Sequence, residues 1–375
     1  MTLQSAQESL RPELIAPELA IIVPTFCERG NVDRLIVEVQ RTLMGVSWEI
    51  VFVDDDSSDQ TAEYIRTLAP RFPNVRCIQR IGRRGLSSAC IEGILSVSAP
   101  VIAVMDADLQ HETLKLRDLL AAIRGGADLA VGSRVAQGGS FGSMSQRRQW
   151  ISTSSSKLAK SLLNIDISDP MSGFFMLRRS LAMRVMRDLS GLGFKILLDI
   201  LTTMPSNAVV VEIPYEFRSR HAGESKLDSM AALDFALLLA DKTIGTIVPT
   251  RFLSFCLVGG LGVVLHFLIL TTLFKGFGSS FTMGQTAATG VTMIFNFFLN
   301  NQLTFRDYRL KGWRLFWGLL SFLAISTMGA IGNVGIASVL FTDYHAAWTV
   351  SALAGILISA VWNYAVSKSL TWRAG

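Results

Sequence analysis

Cysteine is scarce in this chain of 375 residues: there are four, Cys27, Cys77, Cys90 and Cys256. None forms a C-x-x-C pair and no two have disulfide-like spacing, which excludes a disulfide framework and fits a reducing compartment. The first 18 residues lack an apolar core, so they read as a loose tail and not as a cleaved signal peptide. Charge of either sign nearly vanishes over long stretches after Pro249, which excludes an ordinary soluble domain there. Nor is there a large charge excess. The net charge of +5 is modest and much of it lies near the apolar stretches, so lipid headgroups are the expected partner and nucleic acid is not.

What is present is apolar bulk: 50% hydrophobic residues and a mean hydropathy of +0.40. Four runs, 249–274, 281–303, 315–340 and 347–368, each approach the ~20 residues that an α-helix needs to cross a bilayer core. The link between the second and third carries Arg306, Arg309, Lys311 and Arg314, and the chain end carries Lys368 and Arg373. The opposite links offer Lys275, and then Asp343 with His345. The positive-inside bias places both termini and the N-terminal domain in the cytoplasm of an integral membrane protein with four spans.

Ahead of these runs, short β-branched segments alternate with helical ones. The strands predicted are 19–24, 48–54, 75–79, 101–106 and 128–133, with helices near 31–44, 58–69, 85–97 and 114–124. Near-continuous apolar strands joined by helices imply a mainly parallel α/β sheet covered on both faces. Ligands of such sheets sit at the carboxyl ends of the strands. Here those ends are Pro24–Thr25, Asp54–Asp55–Asp56 and the D-x-D of Asp106 and Asp108. Carboxylates converging on one crevice repel one another unless a cation lies among them. A hard ion with oxygen ligands, Mg²⁺ or Mn²⁺ carrying a diphosphate, answers that need. Asp59 reads as a helix cap.

Seven segments, "VPTFCE", "VDDDSSDQT", "GRRGLSSA", "MDADLQH", "VGSR", "DPMSGF" and "RHAGESKL", occur in this order between residues 23 and 227. Together they resemble the polyprenyl-phosphate hexosyltransferases of glycosyltransferase family 2, above all those of the dolichol-phosphate mannose synthase type. Two positions depart from that pattern: Cys27 stands where the family usually has Asn, and Gln60 where it usually has Gly. The resemblance implies a Rossmann-like GT-A domain over 19–226, with a metal held by Asp106, Asp108 and Gln110. It implies that Pro24, Thr25, Glu28, Asp54 and Asp55 line the pocket for nucleobase and ribose. Arg134, Arg148, Arg220, Ser225 and Lys226 would hold the donor diphosphate and the phosphate of a lipid acceptor. The donor implied is a nucleotide-sugar, GDP-mannose ahead of UDP-glucose, and the acceptor a dolichyl or undecaprenyl phosphate. A lipid phosphate is already anionic, so direct attack with inversion at the anomeric carbon needs no general base. His111 and His221 are expected in supporting or surface roles, and 218–227 as a lid over the loaded donor.

The segment 227–248 carries Asp234 and Asp241 on one face and leucines on another. It reads either as an interfacial, juxtamembrane helix or as a helix of the domain core. In the apolar part, "NFFLNNQLTFR" (296–306) repeats as "NYAVSKSLTWR" (363–373), pairing Asn296 with Asn363 and Thr304 with Thr371, with Arg251 and Arg314 taken as corresponding. Helix pairs repeated in one orientation imply a pseudo-twofold axis, with Asn296 and Asn363 hydrogen-bonding between helices. Residues 249–375 thereby resemble the GtrA-like four-helix, all-α membrane domains. A homo-oligomer is compatible with all of this. Two other readings remain at this level. One is a processive polysaccharide synthase, whose Q-x-x-R-W is met here only by "QRRQW". The other is a glycolipid flippase whose soluble domain merely binds nucleotide-sugar.

Overall fold

The computed structural model describes residues 17–142, 146–163, 165–191, 195–218, 235, 238–239, 242–243, 249–305, 308–345 and 347–372. The chain forms two units, Met1–Thr243 and Ile244–Gly375.

The first unit is built on a seven-stranded sheet. Its strands are β1 (Leu19–Thr25), β2 (Trp48–Asp54), β3 (Val75–Gln79), β4 (Val101–Val104), β5 (Leu129–Ser133), β6 (Phe175–Arg178) and β7 (Val210–Pro214), ordered β3-β2-β1-β4-β6-β5-β7. β1 is buried almost throughout because both of its faces are covered. Leu19, Ile21 and Val23 join one hydrophobic cluster while Ala20 and Ile22 join the other, as the two-residue period of a strand requires. Helix α1 (Val32–Thr42) seals the first face with Val32, Leu35, Ile36 and Val39, the spacing of one helical stripe. Helix α3 (Leu86–Leu95) covers the second. It follows α2 (Thr61–Leu68) in the chain and precedes α4 (Lys115–Arg124). At Gly93 a Cβ would lie 2.4 Å from Ile22 Cγ2, so α3 approaches β1 at that point only because glycine stands there.

The sheet is not parallel throughout. β6 runs antiparallel between β4 and β5, with Phe175 opposite both Val104 and Val131. Neither β6 nor β7 figures among the strands expected from the sequence. "FMLR" is short and is followed directly by α6 (Arg179–Val185), so it has no period of its own. Its reversal has a consequence for the site: the strand begins at the edge where its parallel neighbours end.

Helices α5 (Gln146–Leu163) and α7 (Ile196–Thr203) complete the unit. So do residues from the segment expected as an interfacial helix. Leu238 and Leu239 are buried in the same cluster as α7. Lys242 Nζ lies 2.5 Å from Asp199 Oδ1 and donates to Thr203 Oγ1 at 2.9 Å. The other Asp199 oxygen accepts from the Ser190 amide and hydroxyl. Of the two readings of 227–248, the described residues follow the core one, and the unit runs to Thr243 rather than 226. Asp234 and Asp241 lie outside the described residues.

Among the described residues the second unit has the α-helices α8 (Thr250–Thr271), α9 (Phe281–Gln302), α10 (Trp313–Thr342) and α11 (Trp348–Val366). Three described segments are long and apolar enough to cross a membrane: Arg251–Gly276, Trp313–Thr342 and Leu353–Thr371. α9 is not among them, because threonine, asparagine and glutamine recur along it.

The repeat is visible in pairs of contacts. Ser254 bonds Thr304 at 3.0 Å and Ser321 bonds Thr371 at 3.0 Å. Phe297–Phe322 and Tyr364–Phe255 ring pairs are both 5.7 Å apart, and Phe305 stacks on its own counterpart Trp372 at 4.2 Å. At this constant offset Arg251 falls on Gly318, so Arg251 and Arg314 do not correspond; they differ by a helical turn. Among the described residues the Oδ1 atoms of Asn296 and Asn363 have no hydrogen-bond partner, in place of the expected bonds between helices, and they pack against Gly262 and Gly329, where a Cβ would come within 2.4 and 2.1 Å. The two serine–threonine pairs supply interhelical bonds.

Removing one partner of a buried ion pair leaves an uncompensated charge, which costs about 3 kcal/mol or more. Lys242→Met is therefore expected to lower the thermal midpoint of the purified protein by several degrees, with Lys242→Arg recovering most of the loss.

Candidate active site

At the ends of β1 and β2, Thr25 lies opposite Asp54 in register. Asp54 is 1% exposed and its carboxylate is fully engaged. It accepts from Thr25 Oγ1 at 3.1 Å, from the Ser57 amide at 2.9 Å and from Ser57 Oγ at 2.6 Å. Asp55 accepts from Arg80 Nη1 at 2.6 Å and from the Gly85 amide at 2.7 Å. Burial raises its pKa above the usual carboxylate value despite these donors. Arg80 also donates to Ser88 Oγ at 2.7 Å and faces Glu92 at 3.2 Å, so this one buried guanidinium closes the "GRRGLSS" loop onto β2. The Glu28 amide donates to Thr61 Oγ1, and its carboxylate accepts from Asn31. Pro24, Thr25, Glu28, Asp54 and Asp55 are thus brought to one edge, with Asp54 and Asp55 shaping the loops through internal bonds.

At the end of β4 the D-x-D makes a tight turn. Leu109 has φ +62°, a left-handed conformation costly for leucine, and it turns the Gln110 amide back to Asp108 Oδ1 at 3.1 Å. Asp108 is buried, whereas the Asp106 side chain keeps 37% of its surface. His111 is buried beneath them, its ring stacked on Phe174 at 5.0 Å. Its Nδ1 accepts the Asp106 amide at 3.1 Å, so the ring proton belongs on Nε2, which stands 3.6 Å from Asp106 Oδ2. Burial pushes the His111 pKa down to about 4, against the pull of Asp108, so the ring is neutral at pH 7. Gln110 donates through Nε2 to the Arg218 carbonyl at 3.2 Å and accepts the Arg218 amide at 2.9 Å. It therefore ties the D-x-D turn to the start of the expected lid.

The third side comes from β5, β6 and the loop before β6. Arg134 forms a two-pronged pair with Asp169, at 2.7 and 2.9 Å, with the rings of Phe141 and Phe217 5.6 and 5.5 Å from its guanidinium carbon. Its fork, expected to take phosphate, is held by Asp169. Gly173 abuts Asp106: a Cβ there would lie 3.0 Å from Oδ2. Lys195, the N-cap residue of α7, donates to the Met171 carbonyl at 3.4 Å. Arg148 is the third residue of α5, its side chain outside the described part. Arg220, His221, Ser225, Lys226 and the lid segment beyond Arg218 likewise lie outside the described residues. Sequence reasoning assigned no role to Arg80, Asp169 or Lys195. The signal available was position: each lies at or beside a strand end or helix start on the ligand-binding edge.

Among the described residues, no three His, Cys, Asp or Glu side chains form a metal cage.

A D-x-D turn at the carboxyl edge of a mostly parallel sheet, beside one reversed strand, defines a GT-A-like glycosyltransferase fold. The sequence pattern of Glycosyl transferase family 2 matches residues 20–186, and that of the GtrA/DPMS transmembrane domain matches 254–372. A dolichol-phosphate mannosyltransferase of Pyrococcus furiosus is 35% identical over 360 residues, 95% of this chain and 99% of that protein. One from Saccharomyces cerevisiae is 34% identical over 58% of this chain and 84% of its own length. A polyprenol monophosphomannose synthase of Mycolicibacterium smegmatis is 33% identical over 55% and 80%. The chain belongs to glycosyl transferase family 2, carries a GtrA/DPMS transmembrane domain, and is a glycosyltransferase similar to proteins named dolichol-phosphate mannosyltransferase.

Gly173→Ala should push the Asp106 carboxylate aside while leaving the fold intact. Glycosyl transfer is expected to fall roughly 10–100-fold with the melting temperature unchanged. His111 gives a second test. Its folded pKa lies below the unfolded value of 6.5, so the unfolded chain takes up the proton first. The stability this contributes is complete above pH 6.5 and is lost as pH falls toward 4, by about 3 kcal/mol. Unfolding free energies measured across that window should lose this slope in His111→Phe.

Proposed function

We propose that this glycosyltransferase moves mannose from GDP-mannose onto a polyprenyl phosphate at the cytoplasmic membrane face, with Mg²⁺ or Mn²⁺ held by Asp106 and Asp108. The observation that carries the reading is the Asp106 carboxylate. It keeps accessible surface in a ring of buried groups, next to a glycine whose missing Cβ leaves it room. Two carboxylates, with Gln110 beside them and no third His, Cys, Asp or Glu among the described residues, fit a hard ion that takes its other oxygens from water and phosphate. When bound, such an ion neutralises charge growing on the leaving diphosphate. Gln110 completes that turn and connects it to the lid segment.

The protein's own part is positioning. The β1 and β2 loops, stitched by Asp54 and by the Asp55–Arg80 pair, hold the nucleotide. His111 supports the D-x-D turn from below and, being neutral, adds no charge to it. Phe141, Phe217 and the Arg134–Asp169 pair wall the opposite side. The lipid phosphate attacks the anomeric carbon from the face away from the diphosphate, which inverts that centre and requires no protein base. Relatives named for transfer to dolichol, polyprenol and undecaprenyl phosphates support the acceptor class. In the membrane unit α9 serves as the fourth span: its 22 residues reach roughly 33 Å at helical rise. The basic residues between α9 and α10 then keep both termini cytoplasmic.

The test is to incubate the purified chain with polyprenyl phosphate, Mg²⁺ or Mn²⁺, and GDP-mannose or UDP-glucose in turn, and to weigh the lipid product. A mannosyl-phosphoryl lipid formed only with metal is expected, with Asp108→Ala at least about a hundredfold slower and equally stable. No glycosylated lipid from any donor, or near-normal turnover by Asp108→Ala, would overturn the reading.

A further inference from the structure

The sheet order divides the crevice. β3, β2 and β1 lie to one side of the D-x-D strand β4, and β6, β5 and β7 to the other. The loops proposed for the nucleotide belong to the first side. A nucleophile that approaches the anomeric carbon opposite the leaving diphosphate must come from the second.

On that second side the positive charge already identified is spent. Arg134 is matched by Asp169 through two short bonds and an additional contact from its own amide. Lys195 is not matched in this way. It precedes α7 as the N-cap residue and reaches the Met171 carbonyl with a single long bond of 3.4 Å. Met171 lies in the loop that Asp169 anchors at one end and Gly173 presses against Asp106 at the other. Among the described residues Lys195 makes no ion pair, and it retains part of its surface. An ammonium has three donors, and one weak bond to a carbonyl leaves most of that capacity unused. Arg134, Asp169 and Asp106 are all near enough for their charges to act on it, and burial pulls its pKa below the ordinary lysine value. A partly buried cation whose donors are mostly unspent among the described residues is costly until an anion arrives.

We infer that Lys195 binds the phosphate of the lipid acceptor, donating to its oxygens from the β6–β5 side of the crevice and steering the attacking oxygen towards the sugar. This rests on the reading of the reaction given above. The same placement fits the fork of Arg134 and Asp169: they neutralise each other, which among the described residues of that wall leaves the charge of Lys195 unmatched.

The experiment uses the full-length protein in detergent, with Lys195→Met, Lys195→Gln and Lys195→Arg. Two quantities are read: binding of GDP with Mn²⁺ by calorimetry, and binding of a short-chain prenyl phosphate to the GDP-loaded protein. A charge-assisted hydrogen bond of this kind corresponds to about tenfold or more in affinity. Lys195→Met and Lys195→Gln should weaken prenyl phosphate binding by at least about tenfold and raise its KM in the transfer assay to match, while GDP binding stays within about twofold. Lys195→Arg should recover part of the loss, which a merely structural lysine at a helix start would not show in acceptor binding alone. Acceptor binding unchanged in Met and Gln, or GDP binding weakened as much as acceptor binding, overturns the assignment. If the wild type binds prenyl phosphate through Lys195 yet transfers no sugar, the assignment stands and the proposed reaction falls. If the wild type binds no prenyl phosphate, both fall.

Discussion

Like-charge crowding at one sheet edge is the constraint around which this catalytic unit is organised. Asp54, Asp55, Asp106, Asp108 and Asp169 all lie on or beside the ends of adjoining strands, and carboxylates so close cannot all ionise without compensation. The protein answers each differently. Asp54 is satisfied by hydroxyl and amide donors alone. Asp55 and Asp169 each take a buried arginine, Arg80 and Arg134. Those arginines then serve as struts, one closing the loop after β3 and the other fixing the loop before β6. Asp106 and Asp108 stand at the middle of the edge, where the proposed chemistry needs carboxylates. His111 fits the same logic: a neutral ring under the D-x-D turn supplies an acceptor for the Asp106 amide without cancelling the charge above it.

Much of this was legible in the sequence because the strands are nearly continuous apolar runs that end abruptly in acids. β1, β2 and β4 could be located by that contrast, and with them Thr25, Asp54, Asp55, Asp106 and Asp108. β6 could not, since four residues leading straight into a helix show neither alternation nor a turn signal, and its direction is set by tertiary pairing with Val104 and Val131. The partners of the acids were hidden for a related reason. Arg80 and Lys195 are single polar residues at element boundaries and Asp169 lies within a loop, places where an exposed charge is the ordinary expectation. Only the fold brings Arg80 to Asp55 across a separation of 25 residues, and Arg134 to Asp169 across 35. The Arg134 fork illustrates the limit most sharply, because an arginine after a strand reads the same whether it awaits a phosphate or already holds a carboxylate.

In the membrane unit the repeat is more than a likeness of letters. Equivalent residues make equivalent contacts after exchange: Phe297 with Phe322 becomes Tyr364 with Phe255, and Phe297 with Trp372 becomes Tyr364 with Phe305. The Phe305–Trp372 stack maps onto itself, so it lies at the pseudo-twofold axis, where two hairpins meet as the halves of an isologous dimer do. Small residues then set how closely the helices within each hairpin approach, Gly262 against Asn296 and Gly329 against Asn363. In an apolar surrounding such close packing replaces the hydrophobic drive that water would supply. Polar side chains along α9 belong to this arrangement: Asn300 and Thr304 bond each other, and Asn301 accepts from Trp372 and from the Leu310 amide. The property that makes α9 less apolar than its neighbours is the one that ties its end to the rest of the unit.

The two departures from the family pattern share a physical feature. Cys27 and Gln60 both adopt left-handed backbone, with φ of +56° and +65°, and the residues usual at those places, Asn and Gly, are the types that tolerate it. Any other side chain there costs about 1 kcal/mol or more, so the surroundings must enforce the conformation. They do so through Ser57. Its hydroxyl accepts the Cys27 amide at 2.8 Å while donating to Asp54 at 2.6 Å, and its carbonyl receives the Gln60 amide at 3.4 Å. Asp54 in turn accepts the Ser57 amide and Thr25 hydroxyl. One buried carboxylate therefore secures both unfavourable turns as well as the end of β1, so the substitutions change the side chains at these two turns without releasing the backbone that shapes them. The cysteine thiol, 3.6 Å from Ser58 Oγ, occupies the place where an amide would otherwise offer both a donor and an acceptor. The change at this edge is thus one of hydrogen-bonding chemistry on a preserved frame, on the side of the sheet where the nucleotide loops lie.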